Sequence, residues 1–160
     1  LLRKFVNEYN KAVFCNKKKN KVIGGYDALN CPNGVDLVYL DPPYFSNGSS
    51  QGTNYLAYYH FLERIAHYDK WEDLINNAYG KSKRLNNTPE IDRFVKKSEI
   101  KKSLEELFQN FHKNIIVLSY QAGGIPSLEE IIEMFKNIGK KVQVFEKEHR
   151  YVLSKKIKKE

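Results

Sequence analysis

The stretch that most constrains this chain is residues 35–45, Val-Asp-Leu-Val-Tyr-Leu-Asp-Pro-Pro-Tyr-Phe. Its first half, β-branched and large apolar, predicts a strand buried on both faces in a parallel sheet. Pro42 and Pro43 then stop that strand: neither has an N–H to give a ladder, φ is fixed, and Asp41 before them is pushed into an extended conformation. A carboxylate, two rigid carbonyls and an aromatic ring are thereby presented together at the carboxyl end of a strand. Open α/β sheets bind their ligands there, so the fold class implied is α/β.

The remaining composition narrows the setting. A chain of 160 residues has room for one domain with a genuine core. Hydrophobic residues make up 41%, and no apolar run approaches the ~20 residues of a membrane span. No signal peptide is visible, and Cys15 and Cys31 form neither a metal-binding spacing nor a disulfide framework, which together predict a cytoplasmic protein without a bound metal. The net charge of +8 suits a partner rich in phosphate, although a Lys-rich, AT-biased genome gives the same sign. A start at Leu-Leu-Arg rather than Met predicts a fragment or a processed chain.

In chain order, Leu2, Phe5, Val6, Tyr9 and Val13 have helical spacing, which predicts a helix over residues 1–12. Residues 21–29 predict a short strand delivering Asp27 to its end, followed by a turn. After Tyr44, residues 46–54 form a polar loop with two glycines, a lid or nucleic-acid contact on one reading and a plain connector on the other. Residues 55–68 predict a helix with Tyr58, Phe61, Leu62 and Ile65 on one face, most of its rings being core.

From about residue 70 to 113 the chain turns polar, with apolar anchors such as Leu74, Leu85, Ile91, Phe94, Ile100, Leu104 and Phe108. Residues 81–102 hold eight basic side chains, among them Lys83, Arg84, Lys96 and Lys97, against three acidic ones. This predicts a helical insertion with a basic face, either a phosphate-contacting surface or a solvated one. Residues 114–120 predict a second buried strand, polar at its end. Ser127 with Glu130 three residues on is a capping box, and Gly139 ends the helix it starts. Residues 140–146 and 149–154 predict an antiparallel strand pair, and residues 155–159 a basic tail.

Asp41-Pro42-Pro43-Tyr44, directly after an apolar strand, resembles the loop of the S-adenosylmethionine-dependent amino methyltransferases, and within them the N6-adenine DNA methyltransferases. The resemblance covers nearly the whole chain but only the later part of the family pattern. It implies a Rossmann-like class I methyltransferase sheet, partial here and ending in the antiparallel pair, so that residues 1–160 are a partial catalytic domain. An exocyclic amino group is a poor nucleophile because its lone pair is delocalised into the ring. Asp41 and the Pro42 carbonyl would accept its hydrogens and stabilise the positive charge that develops on nitrogen. Pro43 stiffens the loop, and Tyr44, with Phe45 behind it, would stack on a base that has left the duplex. By the same resemblance Asp27, with Ala28 beside it, would receive the cofactor's adenine amino group; an Asp capping a local turn is the equal alternative. Tyr55, Tyr120 and Tyr151 are further candidates for holding the base, each with a core role as its alternative. Double-stranded DNA is the implied partner, in a restriction–modification setting.

The family's glycine-rich turn for the methionine moiety is not found in this sequence. The chain alone is therefore expected to bind S-adenosylmethionine poorly and to be inactive, with an upstream segment or second chain completing the sheet. Two other functions fit the same residues: methylation of a guanine amino group in ribosomal RNA, and nucleic-acid binding without catalysis.

Overall fold

Two apolar tetrapeptides form the centre of the molecule. Leu37–Leu40 is strand β1 and Ile115–Leu118 is strand β2. They pair in parallel, Leu37 opposite Ile115 and Leu40 opposite Leu118, so their carboxyl ends lie side by side. This computed structural model describes residues 2–13, 17–19, 21–24, 27–45 and 48–148. The helices are α1 (Leu2–Ala12), α2 (Tyr55–Ala66), α3 (Trp71–Leu74), α4 (Pro89–Val95), α5 (Ile100–Asn110) and α6 (Leu128–Asn137).

The core lies between the sheet and two of these helices. Ile100, Leu104, Leu107 and Phe108 of α5 interlock with Ile131, Met134 and Phe135 of α6, and the rings of Phe108 and Phe135 stack with centroids 4.2 Å apart. Val38, Leu40, Ile116 and Leu118 pack against this cluster from one face of the sheet. The opposite face, Leu37, Tyr39, Ile115 and Val117, is open to solvent. This corrects the expectation of strands covered on both faces: within the described residues, helices pack on one side only, and the apolar residues of the other side are left bare.

Helix α5 falls inside the polar stretch from 70 to 113, and it supplies the largest share of the buried side chains. Its spacing of Ile100, Leu104, Leu107 and Phe108 makes one apolar stripe, with Lys101, Lys102, Glu105 and Glu106 outside. Lys101 reaches Glu130 of α6 at 3.0 Å. Helix α6 begins as its sequence dictates: the Ser127 hydroxyl accepts from the Glu130 N–H at 3.2 Å, the Glu130 carboxylate accepts from the Ser127 N–H at 2.9 Å, and Gly139 takes φ of +76° beyond its end.

Asn114 joins the far ends of the strands. Its side-chain amide donates to the carbonyls of Asn33 and Val35, and its own carbonyl accepts from Lys140 Nζ at 2.7 Å. Other expectations are overturned. Residues 21–24 carry no strand, and Asp27 instead caps a short 3-10 turn over Ala28–Asn30. Helix α2 forms, but Tyr58, Phe61, Leu62 and Ile65 are exposed, because no element among the described residues covers that face. The two described strands are parallel, and the antiparallel pair is not seen: residues 141–148 form no ladder, and the proposed partner, 149–154, lies outside the described residues. No helix among the described residues is long and apolar enough to cross a membrane.

Candidate active site

Strand β1 ends at Leu40, whose carbonyl accepts from the Ser119 N–H at 2.9 Å. This last rung of the parallel pairing sets Asp41-Pro42-Pro43-Tyr44 beside Ser119 and Tyr120. The Tyr44 hydroxyl donates to the Asp41 carboxylate and lies 2.7 Å from Ser119 Oγ. Tyr120 meets the Tyr44 ring edge-on, with centroids 6.4 Å apart, and its own hydroxyl donates to the Pro126 carbonyl at 2.5 Å. Partial burial, and after it the charge of Glu130, push the Tyr120 phenol up to about 12.

The loop is also held from its far side. Phe45 is 2% exposed and belongs to the core, packing against the α5 cluster, so the ring nominated for a base faces inward. It bridges antiparallel to Gly52, whose N–H donates to the Val95 carbonyl at the end of α4 at 2.8 Å. A Cβ on Gly52 would stand 3.0 Å from the Phe45 ring and 3.2 Å from the Phe94 carbonyl, so only glycine fits without displacement. Thr53 returns its N–H and hydroxyl to the Tyr44 carbonyl, at 2.9 and 3.1 Å. The polar loop is therefore a clasp between the end of β1 and α4.

Asp41, Pro42 and Pro43 line a cavity of about 860 Å³. Asp27 and Ala28 share it. Aromatic and aliphatic side chains, Tyr55, Tyr59 and Leu56 from α2 and Ile91 and Phe94 from α4, line it together with polar and charged ones that include Glu63, Asp73 and Glu90. Tyr55 and Tyr59 lie parallel, with centroids 6.2 Å apart. Asp27 accepts from the Leu29 N–H at 3.1 Å and pairs with Arg93 at 2.8 Å, with only 11% of its side chain exposed. Asp27 thus caps its turn, and it also lines the cavity.

The other nominated residues are dispersed. Tyr120 reaches the site through Tyr44, while Tyr151 lies outside the described residues. Lys83 donates to Asn77 at 2.9 Å, Lys96 pairs with Asp92 at 2.7 Å, Lys97 is exposed, and none of these lines the cavity. Arg84 does not line it either, and its carbonyl accepts from the Asn76 N–H at 2.7 Å. Sequence reasoning did not nominate Ser119, Tyr59, Ile91 or Phe94. Ser119 was signalled only as the first polar residue after an apolar strand, and the α4 pair only as apolar anchors in a charged stretch. Among the described residues no group of three His, Cys, Asp or Glu could hold a metal ion.

Over 104 residues, 65% of this chain, it is 31% identical to the type II methyltransferase M.FokI of Planomicrobium okeanokoites. The chain resembles type II methyltransferases. It is also 30% identical over 105 residues to the type II methyltransferase M.NlaIII of Neisseria lactamica, and 31% identical over 99 residues to the modification methylase LlaI of Lactococcus lactis subsp. lactis. These alignments cover 66% and 62% of this chain. The chain spans only 14%, 28% and 14% of the three relatives, in that order. No family model matches it, and no solved structure does. The resemblance drawn from Asp-Pro-Pro-Tyr is borne out at the level of methyltransferases of the modification type.

Proposed function

We propose that this chain is the base-holding part of a DNA methyltransferase that moves a methyl group from S-adenosylmethionine to the N6 amino group of adenine, in a restriction–modification system. The observation that carries the reading is the placing of Asp41 and Pro42 on the wall of a large, mostly apolar cavity that also holds Asp27 and Ala28. A base amino group donating to Asp41 and to the Pro42 carbonyl is drawn out of conjugation with its ring, and the charge that grows on nitrogen meets a carboxylate already in place. On this reading the ring of Tyr44, which does not itself line the cavity, stacks on the base that reaches Asp41. The proton lost from nitrogen passes to solvent.

The cavity suits an adenosine-like group, because Asp27 can accept from an exocyclic amino group while Tyr55, Tyr59, Ile91 and Phe94 cover a ring. S-adenosylmethionine supplies the electrophilic methyl group when bound. Lys83, Arg84, Lys96 and Lys97 lie outside the cavity and fit phosphate contacts, which give affinity without choosing a base. On this reading a further segment or a second chain covers the bare face of Leu37, Tyr39, Ile115 and Val117, and the complete protein works in the cytoplasm.

The test is made with the full-length enzyme that contains this chain, incubated with unmethylated DNA and S-adenosylmethionine. The DNA is then digested to nucleosides and analysed by mass spectrometry. The methyl group is expected on adenine N6 and to be lost in Asp41→Ala. A methyl group on cytosine, or an unchanged rate in Asp41→Ala, refutes the reading.

A further inference from the structure

Arg93 belongs to the basic stretch 81–102, whose cations suit phosphate, yet its guanidinium is turned onto Asp27. Its Nη1 donates to Asp27 Oδ2 at 2.8 Å, while the Leu29 N–H donates to Oδ1 at 3.1 Å. The carboxylate is thus held at both oxygens. An ionised carboxylate offers about four acceptor positions, so these bonds leave room on it for a hydrogen from a ligand. Arg93 does not line the large cavity, and neither does any other Lys or Arg among the described residues. It lines a separate polar hollow with Asn30, Gln109 and Asn110, so it reaches the cavity only through Asp27.

From this arrangement we infer that Arg93 is a positioning residue for the adenosine end of the cofactor: by holding Oδ2 it aims the remaining acceptor positions of Asp27 at the exocyclic amino group of the adenine ring. Local structure explains why such a hold is needed. No ladder leads into Asp27, because residues 21–24 carry no strand, and the backbone is tied only further on, where Asn110 donates to the Leu29 carbonyl. The Arg93 bond adds a fixed point on the side chain itself. Ile91 and Phe94, the neighbours of Arg93 on α4, do line the cavity. One short helix therefore supplies both the cover for a ring and the clamp on the carboxylate that reads its edge. The charge of Arg93 is spent inside the protein, and phosphate contact falls to the other cations of the stretch.

This rests on the reading of Asp27 as the acceptor of the adenine amino group, and the experiment separates the two. In the full-length enzyme, calorimetry gives Kd for S-adenosylhomocysteine and for its inosine analogue, which carries a carbonyl oxygen where adenine has the amino group. Wild type is expected to bind the adenine form roughly tenfold tighter or more, since a site built to accept a hydrogen rejects a ring without it. Arg93→Ala is expected to weaken the adenine form roughly fivefold and the inosine form less than about twofold, so the ratio shrinks. Arg93→Met, with an unbranched stem and no donor, reads the same ratio should the Ala variant be unstable. An unchanged ratio overturns the proposal: with both ligands weakened alike Arg93 only supports the fold, and with duplex DNA affinity lost instead it is a phosphate contact. If wild type shows no preference for the adenine form, the reading of Asp27 itself fails and the role of Arg93 falls with it.

Discussion

Replacing Phe45 by Ala separates the structural from the functional side of the Asp-Pro-Pro-Tyr loop. Phe45 follows the loop directly, is 2% exposed, and lies against Gly52 and the α5 cluster. Removing a fully buried ring costs about 3–5 kcal/mol, from lost burial and the cavity left behind. Measured against a typical stability of about 5–15 kcal/mol, that is a large fraction. In a domain of this size it lowers Tm by about 6–20 °C. Urea unfolding followed by far-ultraviolet circular dichroism reads the change as a shifted midpoint at constant slope. Tyr55→Ala serves as the reference, since its ring is 51% exposed and its loss is expected to cost about 1 kcal/mol or less. A Phe45→Ala protein of unchanged stability that no longer binds DNA would refute the reasoning, because the ring would then face a base instead of the core.

Four further outcomes follow from the site and its supports. Gly52→Val is expected to disturb the loop and lower methylation, since its Cβ would press on Phe45 and the Phe94 carbonyl; an unchanged rate shows that the clasp is slack. Ser127→Ala is expected to cost about 1 kcal/mol in the same urea assay, by removing a helix cap. The Ser127 N–H, and after it Lys101, hold the Glu130 carboxyl below its ordinary range. Its contribution is therefore present above the ordinary Glu range and is lost as pH falls through the lowered value, a loss that Lys101→Ala should shrink. Tyr120 titrates at about 12, above an ordinary phenol, so its contribution is full below the ordinary Tyr range and is lost as pH rises towards that value. Ultraviolet titration of phenolate should lose a step near 12 in Tyr120→Phe.

What the sequence made legible was local. Asp-Pro-Pro-Tyr after an apolar strand, the capping box at Ser127, Gly139 and the first helix could all be read because neighbouring residues decide them. The parallel character of the sheet was readable as well, since an apolar run that ends in a polar loop suits a buried parallel strand. Strand coverage was not. Leu37 and Tyr39 are as apolar as Val38 and Leu40, and nothing in their letters tells which face a helix will cover. The Val22-Ile23 strand failed for a related reason: β propensity makes a strand only where a neighbour accepts its hydrogen bonds, and Val22 is fully exposed. Ser119 escaped because its importance is a distance to Tyr44, set by strand register. The apolar anchors of the charged stretch hid a core helix and a cavity wall, because a highly charged outer face masks a stripe of only four or five buried residues.

The register that joins Tyr44 to Ser119 also fixes an order of events during synthesis. The two residues are 75 positions apart, so at about 5–20 residues per second the ribosome delivers the second some 4–15 s after the first. Throughout that interval β1 lacks β2, and for most of it Phe45 waits for α5. A nascent chain of this kind carries an open strand edge and an unburied ring while its own later half is still being made, which is when a chaperone at the ribosome exit has most to offer it. Slower codons placed between the two strands would lengthen that exposure, and solubility should fall with them.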